Sequence, residues 1–278
     1  MAKASQIYTT ELCHFVFMGN HFHFIIRVVN PDDVQASLRY IKSEIAHAIN
    51  RLLGRRQRTI WKERYDSPLV LDDDKLKSLV TYLYLNPARA NLVDTIDEYP
   101  GVSSWEMFKS GNHLRKCKKI PRNKIKKLHS ASIPVSEQKE LVKRYELHSK
   151  QFELKLEPFS CFKALRCERD TLHQEIITEV YKEEARLRKE RKFEPFGPTT
   201  LRRQSMLKEH TPTKHSPKMI CLSTDKDLRK ALIEHYKSLC YLATKIYESW
   251  KLGELSLKIP LGLYSPRVPT LVTLLQPM

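Results

Sequence analysis

Glycine is scarce in this chain, with only 7 among 278 residues. That is well below the usual share of about 7%. The shortage disfavours turn-rich all-β folds and glycine-rich phosphate loops. The six cysteines form no Cys-x-x-Cys pair, and an even count in a long chain does not predict a disulfide framework.

Long apolar runs are also missing. No stretch approaches the ~18 consecutive apolar residues of a membrane span, and no apolar segment typical of a signal peptide follows Met1. We therefore expect no membrane span and a reducing, cytoplasmic setting.

Positive charge is abundant and unevenly placed. The formal net charge is +17, yet residues 1–104 hold 13 Lys and Arg against 12 Asp and Glu. Residues 105–278 hold 36 against 20. Such an excess points to a polyanion, either nucleic acid or an acidic membrane surface. The shift predicts a first domain at 1–108, a basic linker at 109–127 with nine Lys and Arg and no acid, and a C-terminal region at 128–278.

The apolar patterns predict an α+β fold. Two β-rich runs at 11–18 and 21–29 flank Gly19-Asn20, which indicates a tight hairpin. A Pro-Asp-Asp start at residue 31 opens a helix that ends near Gly54. Further helices are predicted at 74–85, before Asn86-Pro87, and near 136–154, 168–192 and 225–251. The C-terminal region is therefore expected to be mainly helical.

Two histidines stand in the second predicted strand. His21 and His23 share a face because strand side chains alternate, and paired imidazoles suit a metal ion. Ordinary sheet histidines are the alternative.

The helix at 74–85 carries two tyrosines. Tyr82 and Asn86 fall on one flank of its apolar stripe, and Tyr84 falls on the other. Tyrosine beside a divalent ion, Mg²⁺ or Mn²⁺, suits phosphodiester cleavage through a phosphotyrosine. A boundary tyrosine that packs beside the core is the alternative reading of Tyr82.

Several ordered motifs resemble one family, the REP-associated tyrosine transposases within the insertion-sequence transposases of the HUH single-tyrosine type. The matching segments are 19–26 (Gly-Asn-His-Phe-His-Phe-Ile-Ile), 61–65 (Trp-Lys-Glu-Arg-Tyr), 82–90 with Leu92-Val93, Tyr99-Pro100 and Ser103-Ser104.

This resemblance implies a ferredoxin-like HUH domain that nicks single-stranded DNA beside hairpins. His21 and His23 would be metal ligands, Asn86 a third ligand, and Tyr82 the nucleophile that forms a 5′-phosphotyrosine. Only about ten residues precede the hairpin, so we expect the family's first strand and helix to be missing and a sheet edge to be unpaired.

Basic and aromatic side chains outside these motifs are candidates for DNA binding. They are Arg55, Arg56, Arg58, Trp61, Arg64, Arg89, Arg115, Lys116, Lys118, Lys119, Arg122, Lys124, Lys126 and Lys127. Core packing is the alternative for Trp61, and a solvated linker is the alternative for 109–127.

Three functional hypotheses follow from the sequence. The first is a DNA-nicking and strand-joining enzyme with single-stranded or hairpin DNA as its partner, no membrane partner and no small-molecule cofactor. The second is a non-catalytic protein that binds structured nucleic acid, and the third is a structural metal site. The oligomeric state stays open.

Overall fold

The computed structural model describes residues 1–53, 59–61, 65–119, 140, 149–163, 168–204 and 219–254. The chain divides into two units. The first comprises Met1–Tyr65 and Leu76–His215, and the second comprises Asp66–Lys75 and Ser216–Met278. Because each unit joins distant parts of the sequence, this division differs from the three consecutive segments that the charge distribution predicts.

The first unit is built around an antiparallel hairpin. Strand β1 (Thr10–Phe17) pairs with β2 (Phe22–Val28), as the alternating apolar runs predict. The Met18 N–H donates to the His21 carbonyl at 2.8 Å and closes the turn.

The register of this hairpin decides which side chains share a face. Val16 lies opposite His23, and His14 lies opposite Ile25. Cys13 occupies a β-bulge, where the register shifts between Leu12 and His14. Opposed residues of an antiparallel pair project to the same side, so His14, Val16, His23 and Ile25 form one face.

Helices α1 (Ala2–Ile7) and α2 (Pro31–Leu52) cover the opposite face. There Phe24 and Ile26 line a small cavity together with α2 residues. The start of α2 follows the prediction, since Pro31 is its first residue and the Asn30 side chain accepts from the Asp32 N–H at 3.1 Å.

The outer edge of β1 is occupied rather than open. The Phe17 N–H donates to the Val102 carbonyl, and the Ser104 N–H donates to the Phe15 carbonyl. Glu157 adds a third backbone bond, to the Leu12 carbonyl. A short antiparallel bridge between Val16 and Ser103 lies among these bonds, so β1 is not an unpaired edge. Among the described residues no further strand pairs with β2, so the expected unpaired edge of the sheet is on that side.

Helix α3 (Asp73–Arg89) runs past the predicted stop and contains Pro87 in its interior. Proline has no N–H to donate to the carbonyl four residues earlier. The Asn86 side-chain amide replaces that donor: its nitrogen lies 3.3 Å from the Leu83 carbonyl and 3.0 Å from the Tyr82 carbonyl. Asn91, with φ of 56°, then ends the helix in the left-handed conformation.

A fully buried hydrogen-bond network joins α3 to β1. The Tyr84 hydroxyl lies 2.7 Å from His14 Nδ1 and 3.0 Å from Ser104 Oγ, while His14 Nε2 lies 3.1 Å from the Pro158 carbonyl. A carbonyl only accepts, so Nε2 donates to Pro158 and Nδ1 accepts from Tyr84. Burial lowers the pKa of His14 to about 3, which keeps the imidazole neutral as this arrangement requires.

The same core continues beyond the predicted boundary at residue 108. Helix α4 (Trp105–Lys109) and helix α5 (Arg169–Glu190) both contribute to it, and α5 confirms the helix predicted at 168–192. Ile176 and Val180 of α5 are fully buried in the apolar cluster that holds Phe15 and Tyr84.

A second hairpin replaces part of the predicted linker and of the predicted helix at 136–154. Strand β4 (Leu114–Lys119) pairs antiparallel with β5 (Lys150–Lys155). Cys117 lies opposite Phe152, and both pack against the core together with Leu154. In β5, Phe152 and Leu154 alternate with polar and charged residues, which is the strand pattern. Residues 120–139 and 141–148 lie outside the described residues, so the rest of the predicted linker and most of the predicted helix at 136–154 stay predictions.

The second unit contains a short parallel pair, β3 (Leu69–Val70) with β6 (Cys221–Leu222), and the long helix α7 (Lys226–Lys251). Asp72 accepts hydrogen bonds from Ser223 Oγ at 2.6 Å and from the Thr224 N–H at 2.9 Å. The α7 helix matches the prediction at 225–251, but Asp225 is its N-cap.

A further short helix, α6 (Gly197–Arg203), belongs to the first unit. The described residues thus combine helices with small sheets, which agrees with the predicted α+β class. None of the helices in the described ranges has the length and apolar character needed to cross a membrane.

The buried network gives a stability prediction. Tyr84→Phe leaves His14 Nδ1 buried without its donor, so we expect the free energy of unfolding to fall by about 1–3 kcal/mol. Tyr82→Phe, two residues away on an exposed surface, is the matched control and should change it by less than about 0.5 kcal/mol. Urea unfolding followed by circular dichroism measures both, and equal effects would contradict the role assigned to Tyr84.

Glu184 gives a pH prediction. This α5 carboxyl is 2% exposed and accepts from the Ile96 N–H at 2.6 Å. Burial raises its pKa to about 7, from 4.5 in the unfolded chain. The folded protein therefore holds the proton more tightly, so this contribution to stability is complete below pH 4.5 and is lost as the pH rises through 7.

We expect the Glu184 contribution to the free energy of unfolding, measured as the wild-type value minus the Glu184→Gln value, to fall between about pH 5 and pH 8, by about 1.4 kcal/mol for each unit by which the pKa is raised. The difference is needed because the lowered pKa values of His14 and His23 make the total stability rise over part of the same range. Glu184→Gln keeps an acceptor for Ile96 and should remove this dependence. Glu183→Gln, whose carboxylate pairs with Arg186 at the surface, should retain it. Urea unfolding at the two pH values tests the assignment, and a difference between wild type and Glu184→Gln that stays the same at both would refute it.

Candidate metal and tyrosine site

His21 and His23 lie together at the turn end of the β1–β2 hairpin. Their ring centroids are 4.9 Å apart and the ring planes are nearly perpendicular, at 89°. Phe22, between them in sequence, packs on the opposite face against Phe17 and Trp61. The alternation that the sequence predicts for this strand is therefore present.

The hydrogen bonds of the pair suit a metal ligand. The Asn20 side-chain oxygen lies 2.6 Å from His21 Nδ1 and accepts its proton, which leaves the lone pair of this ring on Nε2. Within the described part of the chain, His23 Nε2 is buried and makes no hydrogen bond. A buried imidazole nitrogen that makes no hydrogen bond is able to bind a divalent ion.

The protonation state of His23 also suits metal binding. Burial, reinforced by the neighbouring His21, lowers the pKa of His23 to about 4. The imidazole is then neutral at physiological pH, which is the form that binds metal.

Helix α3 packs on the hairpin face that carries His23. The link is the buried bond from Tyr84 to His14, because His14 projects from the same face as Val16 and His23. Tyr82 belongs to this helix, so the two elements singled out in the sequence are neighbours in the fold.

The two tyrosines of α3 differ sharply in environment. Tyr84 is fully buried, and burial raises the pKa of its hydroxyl far above the usual range. Tyr82 is 44% exposed. The Arg89 guanidinium lies 4.9 Å from the centroid of the Tyr82 ring, a cation–π contact that brings positive charge beside the exposed hydroxyl. Of the two, only Tyr82 is accessible to a substrate.

Asn86 has a structural task that its predicted role did not include. Its amide nitrogen is engaged by the carbonyls of Tyr82 and Leu83, and the residue is only 8% exposed. The side-chain oxygen is therefore the atom with which Asn86 would bind a metal. In the described ranges, no group of three or more His, Cys, Asp or Glu side chains is arranged to hold an ion.

Many of the predicted DNA-binding residues lie outside the described residues. These are Arg55, Arg56, Arg58, Arg64, Arg122, Lys124, Lys126 and Lys127.

The predicted basic residues of β4 fall into different environments. Arg115, Lys116 and Lys118 are exposed. The Lys119 ammonium instead donates to the Glu44 carboxylate and to the Tyr40 hydroxyl of α2. Lys119 thus contributes to the attachment of β4 to α2.

Trp61 packs against other side chains of the fold, which is the alternative to DNA binding that the sequence left open. Its indole N–H donates to the Lys42 carbonyl at 2.8 Å, and its ring meets Phe22 edge-on with centroids 5.3 Å apart. The Lys42 ammonium lies 5.3 Å from the ring centroid.

Sequence reasoning missed two residues that shape this site. Asn20 was assigned only to the turn, yet it orients His21. His14 was taken as an ordinary strand residue, yet it fixes α3 through Tyr84. In the sequence, the position of Asn20 directly before His21 in a tight turn could have indicated the first role. The single histidine at position 14 of an apolar strand could have indicated the second.

Comparisons with known proteins give a weak and partial similarity. A protein of Haemophilus influenzae described as a putative REP-associated tyrosine transposase is 22% identical over 107 residues, which cover 35% of this chain and 61% of the relative. The chain thus spans less than two thirds of that curated relative. No protein-family model matches, and no solved structure matches. The similarity suggests a transposase-like role.

Proposed function

We propose that the protein nicks and rejoins single-stranded DNA beside hairpins through a tyrosine nucleophile, as the REP-associated tyrosine transposases do. The observation that carries the proposal is the difference in exposure between the two tyrosines of α3. Tyr84 is locked in the core, whereas Tyr82 is exposed on a helix that packs against the face bearing His21 and His23. The partial similarity to a putative transposase supports the same reading.

Tyr82 acts as the nucleophile. Its hydroxyl oxygen attacks a backbone phosphorus in line, the bond from phosphorus to the 3′ oxygen breaks, and the phenolic proton is released as the 3′-hydroxyl forms. The product is a 5′-phosphotyrosine with a free 3′-hydroxyl on the other fragment. Attack of a 3′-hydroxyl on the phosphotyrosine reverses the step and joins strands.

Arg89 supports this step electrostatically. Its guanidinium, held against the Tyr82 ring, places positive charge where the phosphate must approach, and guanidinium is well suited to phosphate oxygens. Arg89 was already a DNA-binding candidate from the sequence.

His21 and His23, together with the Asn86 side-chain oxygen, would hold a divalent ion, Mg²⁺ or Mn²⁺. Bound there, the ion supplies positive charge that polarises the scissile phosphate. Imidazole ligands favour Mn²⁺ over Mg²⁺. The proposed architecture is a ferredoxin-like HUH domain, in which the β1–β2 hairpin presents the histidines and α3 presents the tyrosine.

Metal binding at the histidine pair is testable without DNA. We expect His23→Ala to weaken Mn²⁺ binding by at least about tenfold, because it removes one imidazole ligand. His47→Ala, on an exposed position of α2, is the control and should bind as the wild type does. Titration followed by the Mn²⁺ electron paramagnetic resonance signal measures the affinity.

Equal Mn²⁺ affinity in both histidine variants would place the metal elsewhere. A strong preference for Zn²⁺ without affinity for nucleic acid would favour a structural metal site instead.

Covalent attachment tests the nucleophile. The substrate is a pool of hairpin oligonucleotides with randomised single-stranded flanks, labelled at the 3′ end and incubated with Mn²⁺. Wild type should carry the 3′ label on a denaturing protein gel, because a 5′-phosphotyrosine retains the downstream fragment. Tyr82→Phe should lose the adduct by at least about 10³-fold, whereas Tyr84→Phe should retain it in proportion to its folded fraction.

Other outcomes separate the alternatives. An adduct in Tyr82→Phe, or a 5′ label on the protein, would show that the nucleophile or the polarity is wrong. Binding of the pool by wild type with no adduct would identify a non-catalytic nucleic-acid-binding protein.

A further inference from the structure

A segment after α5 is fastened to the turn that ends α3. The Phe196 N–H donates to the Asn91 carbonyl at 3.1 Å, and the Gly197 N–H donates to the Leu92 carbonyl at 2.9 Å. In return, the Asn91 side-chain amide donates to the Glu194 carbonyl at 3.1 Å. Residues 193–197 are therefore held in a defined position against the helix that carries Tyr82.

Ion pairs at the end of α5 reinforce this attachment. Arg191 donates to Asp94 at 2.6 Å and also reaches the Ala88 and Val93 carbonyls. Arg188 pairs with the same Asp94 at 2.8 Å. The Arg191 side chain is only 12% exposed. The chain is therefore firmly held just before the segment begins.

Two aromatic rings project from this segment into solvent. Phe193 is 76% exposed and Phe196 is 50% exposed. Two exposed rings three residues apart, on a segment held by hydrogen bonds, form a local apolar surface. Three residues of backbone span at most about 10 Å, so the two rings lie within the reach of neighbouring nucleotides.

The surroundings of these rings are basic. Residues 188–204 contain six Lys and Arg and two Glu. Lys189, Lys192, Arg202 and Arg203 are exposed. One of the two carboxylates, Glu190, pairs with Arg186 at 2.9 Å. Exposed aromatic rings among positive charges form the surface that binds unpaired bases and their phosphates.

We propose that Phe193 and Phe196 form a stacking surface for single-stranded DNA, with Lys189, Lys192, Arg202 and Arg203 along its phosphates. We name it the Phe193–Phe196 surface. It deepens the proposed function, on which it rests, by assigning a binding site for the strand near the nick. Seven residues of helix separate Tyr82 from Arg89, about 10 Å along the axis, and the segment attaches just beyond.

The test measures binding apart from chemistry. All proteins carry Tyr82→Phe, and the probe is a fluorescein-labelled single strand of about twenty thymidines, compared with a duplex of equal length. Phe193→Ala/Phe196→Ala should weaken binding of the single strand by about tenfold to a hundredfold, because each stacked base contributes favourably. Duplex binding should change by less than about twofold.

Controls separate stacking from folding and from charge. Tyr241→Ala removes an equally exposed ring, 64% accessible, from α7 and should leave binding unchanged. Phe193→Trp/Phe196→Trp should preserve binding. The salt dependence should keep its slope in the alanine variant, whereas Lys192→Ala/Arg202→Ala should reduce that slope by about 1.4, because each phosphate contact on a single strand contributes about 0.7.

The outcomes distinguish this surface from the proposed function. Equal affinity of the alanine variant and Tyr241→Ala for the single strand overturns the surface, as does a wild type that binds no single strand. Adduct formation by the chain with an intact Tyr82 would leave the nicking function standing in either case. Phe-dependent binding without any adduct would support the surface and refute the nicking.

Discussion

The buried hydrogen bond between Tyr84 and His14 holds together the elements that form the candidate site. It joins α3 to β1, and through Ser104 and Pro158 it also reaches the start of α4 and the chain after β5. All of these groups are desolvated, so a missing partner would leave a buried polar atom unsatisfied. Because the bond specifies both the face of the hairpin and the rotation of α3, it determines that Tyr82 is the tyrosine left outside.

Pro87 and Asn86 form a second constraint on the same helix. A proline inside a helix frees one carbonyl and commonly ends the helix, yet α3 continues to Arg89 because the Asn86 amide nitrogen bonds that carbonyl. The compensation keeps Arg89 helical and next to Tyr82. It also means that substitution of Asn86 disturbs the helix as well as any metal, so its two roles are separable only by comparing stability with metal affinity.

The sequence predicted the parts of the fold that depend on local pattern. The hairpin with its Gly19-Asn20 turn, α2 with its proline start, and the helices at 169–190 and 226–251 all follow from periodicity and capping residues. The continuation of α3 through Pro87 was not predictable in this way. Helix propensities of single residues do not account for a side chain that replaces the N–H donor that proline lacks.

The β4–β5 hairpin escaped prediction for a different reason. Its lysine-rich first strand resembles a solvated linker, and only pairing with residues 150–155 gives it an apolar face through Cys117 and Phe152. Such pairing is a long-range event that a local pattern does not report. At the candidate site, the residue types and spacing indicated His21, His23 and Tyr82, and the helical flank shared with Asn86 already favoured Tyr82 over Tyr84. The structure adds that Tyr84 is buried and Tyr82 is exposed.

Net charge gave the first indication of a polyanionic partner. The structure shows that some of the positive side chains are engaged in ion pairs within the fold. Lys109 and Lys119 are engaged with Asp97 and Glu44, and both Arg188 and Arg191 converge on Asp94. These cations organise the fold, so a count of positive residues overstates the surface open to phosphate. If the protein acts on an unpaired strand as proposed, stacking on bases would add affinity that these engaged cations do not supply. Exposed rings on a fixed backbone meet that need, because stacking discriminates single strands from duplexes where charge alone does not.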